Sequence, residues 1–397
     1  MSLKTLERAW RRVWIVGLTR LLAFRGTGRP APPDWDARPY RVLFLRHDRI
    51  GDMIVSTGLL RAIASAHATI RLDVLASPSN APVVRCDPHV TEVLTVDVRH
   101  PWRSLGLIRR LRAARYDAVV DCMPTAPSVT TLLLMLAAGA PERVGVAGRG
   151  NDAAMTIAVP PRRGARHIID HLAALAAAFG VDVDATDFSP ALALAPEELA
   201  RAGALWPAHD HGSPPARRLL VNVSAGKAAR QWPTASFVEV LRGARARFPH
   251  VQLLLMGTPD EGERIAAIAE RTGVATAHTA TLRDALALVA TADVVLTPDT
   301  SIAHAASALR KPTVDLLLHG RAVGWGLYRT PGHNIESADE TLASLPAAPV
   351  LAALVDLLRS LEPAIEPRVA EPRVAVATPP PRPVLGTDVA PSPDGRA

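Results

Sequence analysis

An aspartate follows a glycine at the point where an apolar run gives way to a helical pattern. In "VLFLRHDRIGDMIVSTGLL" (42–60) the apolar run stops at Arg46, and the helical pattern begins directly after Asp52. The dipole of a helix stabilises a carboxylate in its first turn, and the neighbouring Gly51 leaves room for a substrate to approach. The pattern therefore predicts either a helix-start acid or a general base at Asp52, with Asp48 as the rival carboxylate.

A second loop, "SAGKAARQWP" (224–233), places cations and a glycine just after another apolar run. Gly226 permits close backbone approach, and Lys227 and Arg230 supply two positive charges. Pro233 favours the first turn of the helix that follows. A basic loop leading into a helix N-terminus is typical of a phosphate site. The G-x-x-x-x-G-K-[ST] spacing of a P-loop is absent, and the alternative to a phosphate site is a solvated basic turn.

A third loop, "GTPDEGE" (257–263), offers the carboxylates of Asp260 and Glu261. A carboxylate that follows a strand of an α/β sheet can accept hydrogen bonds from ribose hydroxyls. The same acids would stabilise the first turn of the next helix through its dipole. Both interpretations stay open from these residues alone.

The fourth loop, "TPDTSIAH" (297–304), opens a helix with Asp299, Thr300 and Ser301. Such residues ordinarily cap a helix N-terminus. The free backbone N–H groups there are also suited to holding a phosphate, with His304 one turn further on. The two roles can coexist opposite a basic phosphate loop.

The segment "HIIDH" (167–171) has two histidines four residues apart, a spacing that can bind zinc. It lacks a glutamate after the first histidine, and no third ligand is evident, so we predict no metal site. We expect His167 to face a cleft or to cap a helix.

Cys86 and Cys122 cannot form a disulfide framework, which favours a reducing compartment.

Alternating strand and helix patterns must position these loops. The predicted strands are Val42–Arg46, Arg71–Ala76, Val93–Val96, Asp117–Asp121, Arg143–Val146, Leu219–Ser224, Val251–Met256, Asp293–Thr297 and Pro312–Leu318. The predicted helices between or after them are Asp52–His67, Arg103–Arg115, Ile168–Phe179, Thr234–Arg247, Glu261–Thr272, Leu282–Thr291 and Thr300–Leu309. This alternation predicts an α/β protein with parallel sheets. Because parallel sheets bind ligands at the carboxyl ends of their strands, the four loops are expected to share one site.

Shifts in composition divide the chain into four parts. Residues 1–40 combine a basic amphipathic helix with a Pro/Gly linker, 41–205 form a first α/β domain and 206–361 a second. Residues 362–397 are rich in proline and repeat the sequence "EPRVA", so we expect this tail to be disordered.

The N-terminal segment 5–25 has the pattern of an amphipathic helix. Its apolar face is formed by Trp10, Val13, Trp14, Leu18, Leu21 and Leu22. A basic, tryptophan-rich helix suits an anionic membrane surface, and the alternative is a helix packed on its own domain. The apolar run is interrupted by Arg20 and is too short to span a bilayer, so neither a membrane span nor a signal peptide is predicted.

The charge balance indicates an anionic partner. The chain of 397 residues carries a formal net charge of +7. Nucleic acid, a membrane surface and a phosphorylated small molecule all fit this balance. Aromatic residues are scarce and no Arg-rich recognition helix is present, so nucleic acid ranks last.

Together and in this order, the loops resemble glycosyltransferase family 9, the heptosyltransferases of bacterial lipopolysaccharide synthesis. The segments that carry the resemblance are 42–63 (opening strand and G-D turn), 138–146 ("AGAPERVGV", a mid-domain element), 221–240 (nucleotide-diphosphate loop), and 253–263 and 292–314 (remaining donor-site elements). The resemblance covers about residues 41–345.

The resemblance implies a GT-B fold, in which two Rossmann-like parallel-sheet domains face a cleft. The first domain would bind the acceptor and the second the sugar nucleotide. The implied reaction is inverting, metal-independent transfer of heptose from ADP-heptose to a lipopolysaccharide core or related glycan. The expected partners are this donor, a lipid-linked acceptor and an anionic membrane, without nucleic acid or a further cofactor. The expected location is the cytoplasm, at the inner face of the cytoplasmic membrane.

The resemblance also assigns roles to the residues of the four loops. Asp52 falls on the family's catalytic base, and Asp299 would orient the sugar or the loop. Asp260 or Glu261 would hold the ribose. The residues that would bind the donor diphosphate are Lys227, Arg230, Thr300, Ser301 and His304.

Two segments depart from the family pattern. "DTSIAH" (299–304) stands where many members have "DSGPMH" or "DTGLSH", so Ser301 replaces the usual glycine. "LHGRAVGWGLYRTPG" (318–332) stands in place of the common "FGPTDP" type. Both departures leave the donor sugar and the acceptor open.

Three other functions compete with this one. A nucleotide-sugar epimerase of the same shape would need cleft carboxylates and histidines that the sequence does not let us assign. A dinucleotide-dependent oxidoreductase is disfavoured because no G-x-G-x-x-G follows the first strand of either domain. A non-catalytic sugar-nucleotide-binding or scaffold protein is disfavoured by the presence of Asp52 together with Lys227.

Overall fold

The computed structural model describes residues 3–26, 32–98, 100, 105–123, 127–207 and 217–361. The prediction of a disordered tail over 362–397 lies outside the described residues, as do parts of both linkers.

The first part of the chain builds a six-stranded parallel sheet in the order β3-β2-β1-β4-β5-β6. Its strands are β1 (Tyr40–Arg46), β2 (Ile70–Ala76), β3 (Val90–Thr95), β4 (Ala118–Asp121), β5 (Glu142–Val146) and β6 (Ile157–Val159). The helices of this part are α1 (Leu3–Phe24), α2 (Ile50–Ala66), α3 (Ala81–Val84), α4 (Leu105–Ala114), α5 (Val129–Ala138), α6 (Ile168–Ala173) and α7 (Pro196–Gly203). Continuous apolar runs such as "VLFL" form the central strands because helices cover both faces of a parallel sheet.

The second part repeats this architecture in the order β12-β11-β10-β7-β8-β9. Its strands are β7 (Arg218–Asn222), β8 (Gln252–Met256), β9 (Ala275–Thr276), β10 (Val294–Pro298), β11 (Thr313–Leu317) and β12 (Gly332–Glu336). Its helices are α8 (Thr234–Arg247), α9 (Gly262–Thr272), α10 (Leu282–Thr291), α11 (Ser301–Ala308), α12 (Ala322–Trp325) and α13 (Ala347–Ser360). The predicted α/β class with two parallel sheets is confirmed.

Both sheets have the strand order of a doubly wound fold, and the order fixes where a ligand fits. The direction in which successive strands are added to the sheet reverses between β1 and β4 in the first sheet and between β7 and β10 in the second. Ligands bind outside the carboxyl ends of the strands at such switch points. Asp52 lies in the first turn of the helix that follows β1, and the segments after β7 and β10 carry Arg230 and Thr300.

Alternate residues of β1 pack into two separate cores. Val42 and Phe44 lie in a core with α2 and α6, whereas Leu43 and Leu45 lie on the opposite face with α1, α4 and α5. This two-sided burial holds the end of β1 firmly. The loop that begins at Arg46 is therefore anchored at its first residue, which is 1% exposed.

The two domains are in direct contact. Helix α2 packs against α11, and α7, which follows the first sheet in sequence, packs against α10. Glu198 on α7 pairs with Arg283 on α10, and Arg283 also donates to the backbone oxygen of Pro82 in α3. These contacts hold the carboxyl ends of the two sheets opposite each other.

The predicted helix over 168–179 needs a correction. Its first half is α6, but Ala174–Phe179 forms a 3₁₀ helix that ends at Gly180, whose φ is +70°. The run "ALAAAF" is almost entirely apolar, so it contains no periodicity that distinguishes 3.0 from 3.6 residues per turn. The left-handed glycine at the end agrees with the predicted stop.

The N-terminal helix is present and one side of it is packed on the first domain. Leu18 and Leu22 are buried in the core with α5, and Arg143 donates to the backbone oxygens of Leu22 and Gly26. None of the helices in the described part of the chain has both the length and the apolar character needed to cross a bilayer.

Candidate active site

A cavity of about 500 Å³ lies between the two domains at the carboxyl ends of both sheets. It is lined from the first domain by Arg49, Ile50, Gly51 and Asp52. The lining residues from the second domain are Ser224, Ala225, Gly226, Arg230, Thr258, Asp260, Asp299, Thr300, Ser301, His304, Arg321 and Trp325. The structure therefore brings parts of all four predicted loops together in one place.

Asp52 is held at the cavity wall by the buried Arg46. The guanidinium of Arg46 donates through Nε to the backbone oxygen of Asp52 at 2.8 Å, and its Nη2 lies 3.5 Å from Asp52 Oδ1. Ser56 Oγ donates to the same backbone oxygen at 2.8 Å. Asp52 lies in the first turn of α2, where the helix dipole favours a carboxylate. The side chain is thus fixed in orientation while it borders the cavity.

Asp48 has the second carboxylate of this loop, but it does not line the cavity. Its Oδ2 lies 3.4 Å from Arg46 Nη1, and its Oδ1 is buried without a hydrogen-bond partner. Burial, with a smaller contribution from the nearby Asp52, raises the pKa of Asp48 to about 6. Because a general base must first reach its substrate, geometry favours Asp52 over Asp48.

Two guanidinium groups converge on Asp299 at the opposite wall. Arg230 Nη2 lies 3.3 Å from Asp299 Oδ2, and Arg321 Nε donates to the same oxygen at 2.8 Å. Arg230 Nη1 also donates to the backbone oxygen of Asp299 at 2.9 Å. Asp299 is only 3% exposed and lies in the cavity wall with both arginines, which its carboxylate orients. Paired arginines of this kind suit a phosphate or diphosphate.

A further carboxyl group, that of Asp315, lies buried in the middle of β11. Neither of its oxygens has a hydrogen-bond partner. Burial, followed by the charge of Asp299, raises the pKa of Asp315 well above its ordinary value. Burial thus favours the protonated form of Asp315, whereas Asp299 is the carboxylate that pairs with Arg230 and Arg321.

The N-terminus of α11 is capped by Thr300, as the sequence predicts. Thr300 Oγ1 accepts from the backbone N–H of Ile302 at 3.3 Å and from Asn222 Nδ2 at 3.2 Å. Asn222, at the end of β7, also donates to Thr297 Oγ1 at 2.9 Å. These bonds tie the loops after β7 and β10 together, so the helix N-terminus faces the cavity beside Ser301.

His304 connects the two domains across the cavity floor. A Cβ atom added at Gly51 would lie 2.7 Å from His304 Cδ2, so only glycine allows this approach. Burial lowers the pKa of His304 to about 4, which makes the imidazole neutral at physiological pH. The ring centroid of His304 lies 6.0 Å from that of Trp325. His304 can thus donate or accept a hydrogen bond but brings no positive charge.

Two predicted binding residues lie away from the cavity lining. Lys227 is exposed at the start of a short 3₁₀ helix, Ala228–Arg230. Glu261 uses its carboxylate to join two loops, because it accepts from the backbone N–H groups of Ala225 at 2.9 Å and Thr258 at 3.3 Å. Asp260 does line the cavity. Of the two acids in this loop, Asp260 is the one left available to a ligand.

His167 uses both ring nitrogens in structural hydrogen bonds. Its Nδ1 accepts from the backbone N–H of Ile169 at 3.2 Å and so caps α6, and its Nε2 donates to the backbone oxygen of Gly326 at 3.0 Å. The second bond crosses to the other domain, where Tyr328 packs against the imidazole with ring centroids 4.9 Å apart. This environment gives His167 the helix-capping role expected from the sequence.

Sequence reasoning did not single out several residues of the cavity wall, among them Arg49, Arg321 and Trp325. Arg49 lies inside the motif that carries Asp52, and its charge was the available signal. Arg321 and Trp325 belong to the segment that departs from the family pattern. Their role depends on the contact with Asp299 and on the approach to His304, which only the folded chain reveals.

Comparisons with known proteins identify the family of the chain. The model of glycosyltransferase family 9 (heptosyltransferase) matches residues 104–342. No curated protein matches the chain at a significant level of similarity.

Several solved structures share the fold. The family 9 glycosyl transferase from Veillonella parvula DSM 2008 is 18% identical, with 83% of this chain and 99% of that one covered and a TM-score of 0.71. The ADP-heptose lps heptosyltransferase II of E. coli is 21% identical, with coverages of 81% and 100% and a TM-score of 0.66. The E. coli heptosyltransferase WaaC with ADP is 19% identical, with coverages of 80% and 98% and a TM-score of 0.64.

The architecture is therefore the expected GT-B arrangement of two Rossmann-like domains facing a cleft. The family model spans more than half of the chain and includes the loops after β7, β8 and β10. This chain belongs to glycosyltransferase family 9 and is a glycosyltransferase.

Proposed function

We propose that the enzyme transfers heptose from ADP-heptose to a hydroxyl group of a lipopolysaccharide core or related glycan, with inversion and without a metal ion. The observation that carries the proposal is the interdomain cavity, which places the carboxylate of Asp52 opposite Arg230 and Arg321. The family's description as heptosyltransferases supports heptose as the sugar. Asp52 lies before residues 104–342, which the family model matches, so that match does not bear on its role. The support for Asp52 as the base is its place in the cavity wall.

In this reaction Asp52 accepts the proton of the acceptor hydroxyl. The hydroxyl oxygen then forms a bond to the anomeric carbon, and the bond from that carbon to the diphosphate breaks with its electron pair on the departing oxygen. Attack opposite the leaving group inverts the anomeric centre. Arg46 fixes Asp52 through its backbone oxygen, so the base meets the acceptor in a preset orientation.

The departing diphosphate gains negative charge, and fixed cations stabilise it. Arg230 and Arg321 are already oriented by Asp299, so little reorganisation is needed when the charge develops. The N-terminus of α11 at Thr300 and Ser301 adds backbone dipoles. Neutral His304 would donate a hydrogen bond nearby. With these groups in place of a metal ion, we expect transfer to continue in the presence of EDTA.

The nucleoside would lie toward the loop after β8. Asp260 lines the cavity there and would accept hydrogen bonds from the ribose hydroxyls. Lys227 would bind the diphosphate only if its exposed side chain turns toward the cavity, and Lys227→Ala tests this contribution separately.

The proposed donor can be tested by thermal shift with ADP-heptose and with UDP-, GDP- and CDP-sugars. We expect selective stabilisation by ADP-heptose that is lost in Arg230→Gln and retained in Arg242→Gln, a control on the exposed side of α8. Selective stabilisation by another nucleotide sugar would contradict ADP-heptose as donor. A response to NAD or NADP alone would favour an oxidoreductase instead.

A further inference from the structure

The outer side of helix α1 carries an unusual concentration of exposed apolar side chains. Among the described residues, ten large apolar side chains are exposed, and six of them lie on α1. These six are Trp10, Val13, Trp14, Val16, Leu21 and Phe24. Phe24 is 92% exposed and Trp10 is 62% exposed, which is far from the burial that such side chains ordinarily reach.

The exposed apolar side chains form a stripe that faces away from the protein. Trp10, Trp14, Leu21 and Phe24 recur at intervals of three, four and seven residues, which places them on one side of a helix. Leu18 and Leu22 lie on an adjacent side of the helix and are buried in the core with α5. The apolar surface of α1 thus extends beyond its buried side, and packing on the domain accounts for only the buried part.

The neighbouring helices α5 and α4 add a further exposed apolar side chain and further positive charge. Leu133 on α5, the helix on which α1 packs, is 47% exposed. Helix α4 lies beside α5 and exposes Arg109 and Arg112. The sequence of α1 contains one acid, Glu7, and five basic residues, and Arg25 follows directly after the helix. The five are Lys4, Arg8, Arg11, Arg12 and Arg20.

We propose that this face, formed by the outer stripe of α1 and Leu133, docks on the surface of an anionic lipid bilayer. Tryptophans with apolar side chains on one side of a helix and arginines around them match the headgroup and acyl boundary of such a membrane. A second copy of this chain would bring two strongly basic helices together, and their mutual repulsion favours lipid as the occupant. Helix α1 lies outside the family-model match, and the proposal does not depend on the identity of donor or acceptor.

Vesicle flotation of the full chain tests the proposal. One set of vesicles is pure phosphatidylcholine, and the other mixes phosphatidylcholine with phosphatidylglycerol. We expect binding to the anionic vesicles, weaker binding to the neutral ones and release as the salt concentration rises. The double variant Trp10→Ser/Trp14→Ser is expected to bind about tenfold more weakly. Both rings contact each other in the native helix, so they are replaced together.

Two controls separate docking from unfolding. Leu205→Ser removes an exposed apolar side chain that is not on α1, and we expect it to bind vesicles like the native chain. Both variants should keep the native melting temperature, since neither alters a buried group. Native-like flotation of the double tryptophan variant would overturn the proposal, as would equal binding to both vesicle types. A concentration-dependent dimer that the double variant abolishes, without vesicle binding, would identify a second copy as the occupant instead.

Discussion

Replacing Asp48 by asparagine is expected to stabilise the folded chain at neutral and alkaline pH. The Asp48 side chain is 16% exposed, and its Oδ1 has no hydrogen-bond partner. Its pKa is about 6 in the folded chain, against an ordinary value of 3.8. Between these two pH values the folded chain retains a proton that the unfolded chain releases, so the stability falls as the pH rises.

The size of the effect follows from the two pKa values. Once the pH exceeds the folded-state pKa, the difference between the two pKa values lowers the free energy of unfolding by about 3 kcal/mol. Asparagine has a similar shape and no charge to desolvate, but it loses the attraction of Arg46 Nη1 at 3.4 Å. We therefore expect Asp48→Asn to gain up to about 3 kcal/mol at about pH 8, with a smaller gain at about pH 5.

Urea unfolding of the native chain and Asp48→Asn at the two pH values measures this gain. The control is Glu239→Gln, which removes an exposed carboxylate on α8 and should change stability little at either pH. A loss of stability of equal size at both pH values would refute the reasoning. It would mean that Asp48 is ionised in the folded chain and stabilises it through Arg46.

Two glycines give further predictions. Gly58→Ala would place a Cβ 2.1 Å from the backbone oxygen of Phe188. Although alanine favours a helix more than glycine does, we expect this overlap to lower the free energy of unfolding by about 2 kcal/mol or more. Urea unfolding measures this loss of stability. The control is Gly17→Ala, whose Cβ would meet open space, and we expect it to be neutral or slightly stabilising. Equal changes in stability for the two variants would contradict the close packing of Gly58 on Phe188. Gly51→Ala would displace the His304 imidazole, and we expect donor affinity to fall by about tenfold in calorimetry while stability changes little. Unchanged affinity would show that this close approach does not shape the donor site.

The sequence was most informative about elements whose residues are buried on both sides. The central strands β1, β7 and β10 are continuous apolar runs followed by polar loops, and they were predicted to within two residues at each end. The strands β6, β9 and β12 were missed. Each lies at a sheet edge, is two to five residues long and has partly exposed side chains, so its apolar pattern is weak.

The candidate site also contains some residues that the sequence could predict and others that it could not. Asp52, Arg230 and Asp299 could be predicted because each follows the carboxyl end of a strand. In a parallel sheet these ends lie at the same edge, where ligands bind. Arg321 could not be predicted in the same way, because it enters the site only through its contact with Asp299, 22 residues away in sequence. Glu261 fits the ribose pattern in sequence, but backbone N–H groups engage its carboxylate in the folded chain.

The most direct test of the account compares donor binding and transfer in Asp52→Asn. The substitution removes the base without altering Arg230, Arg321 or Asp299, so calorimetry should give a donor Kd within about twofold of the native value. The rate of sugar transfer should fall by about 10²-fold to 10⁴-fold, as expected for the loss of a general base. Near-native transfer by Asp52→Asn would contradict the assignment of Asp52 as the catalytic base.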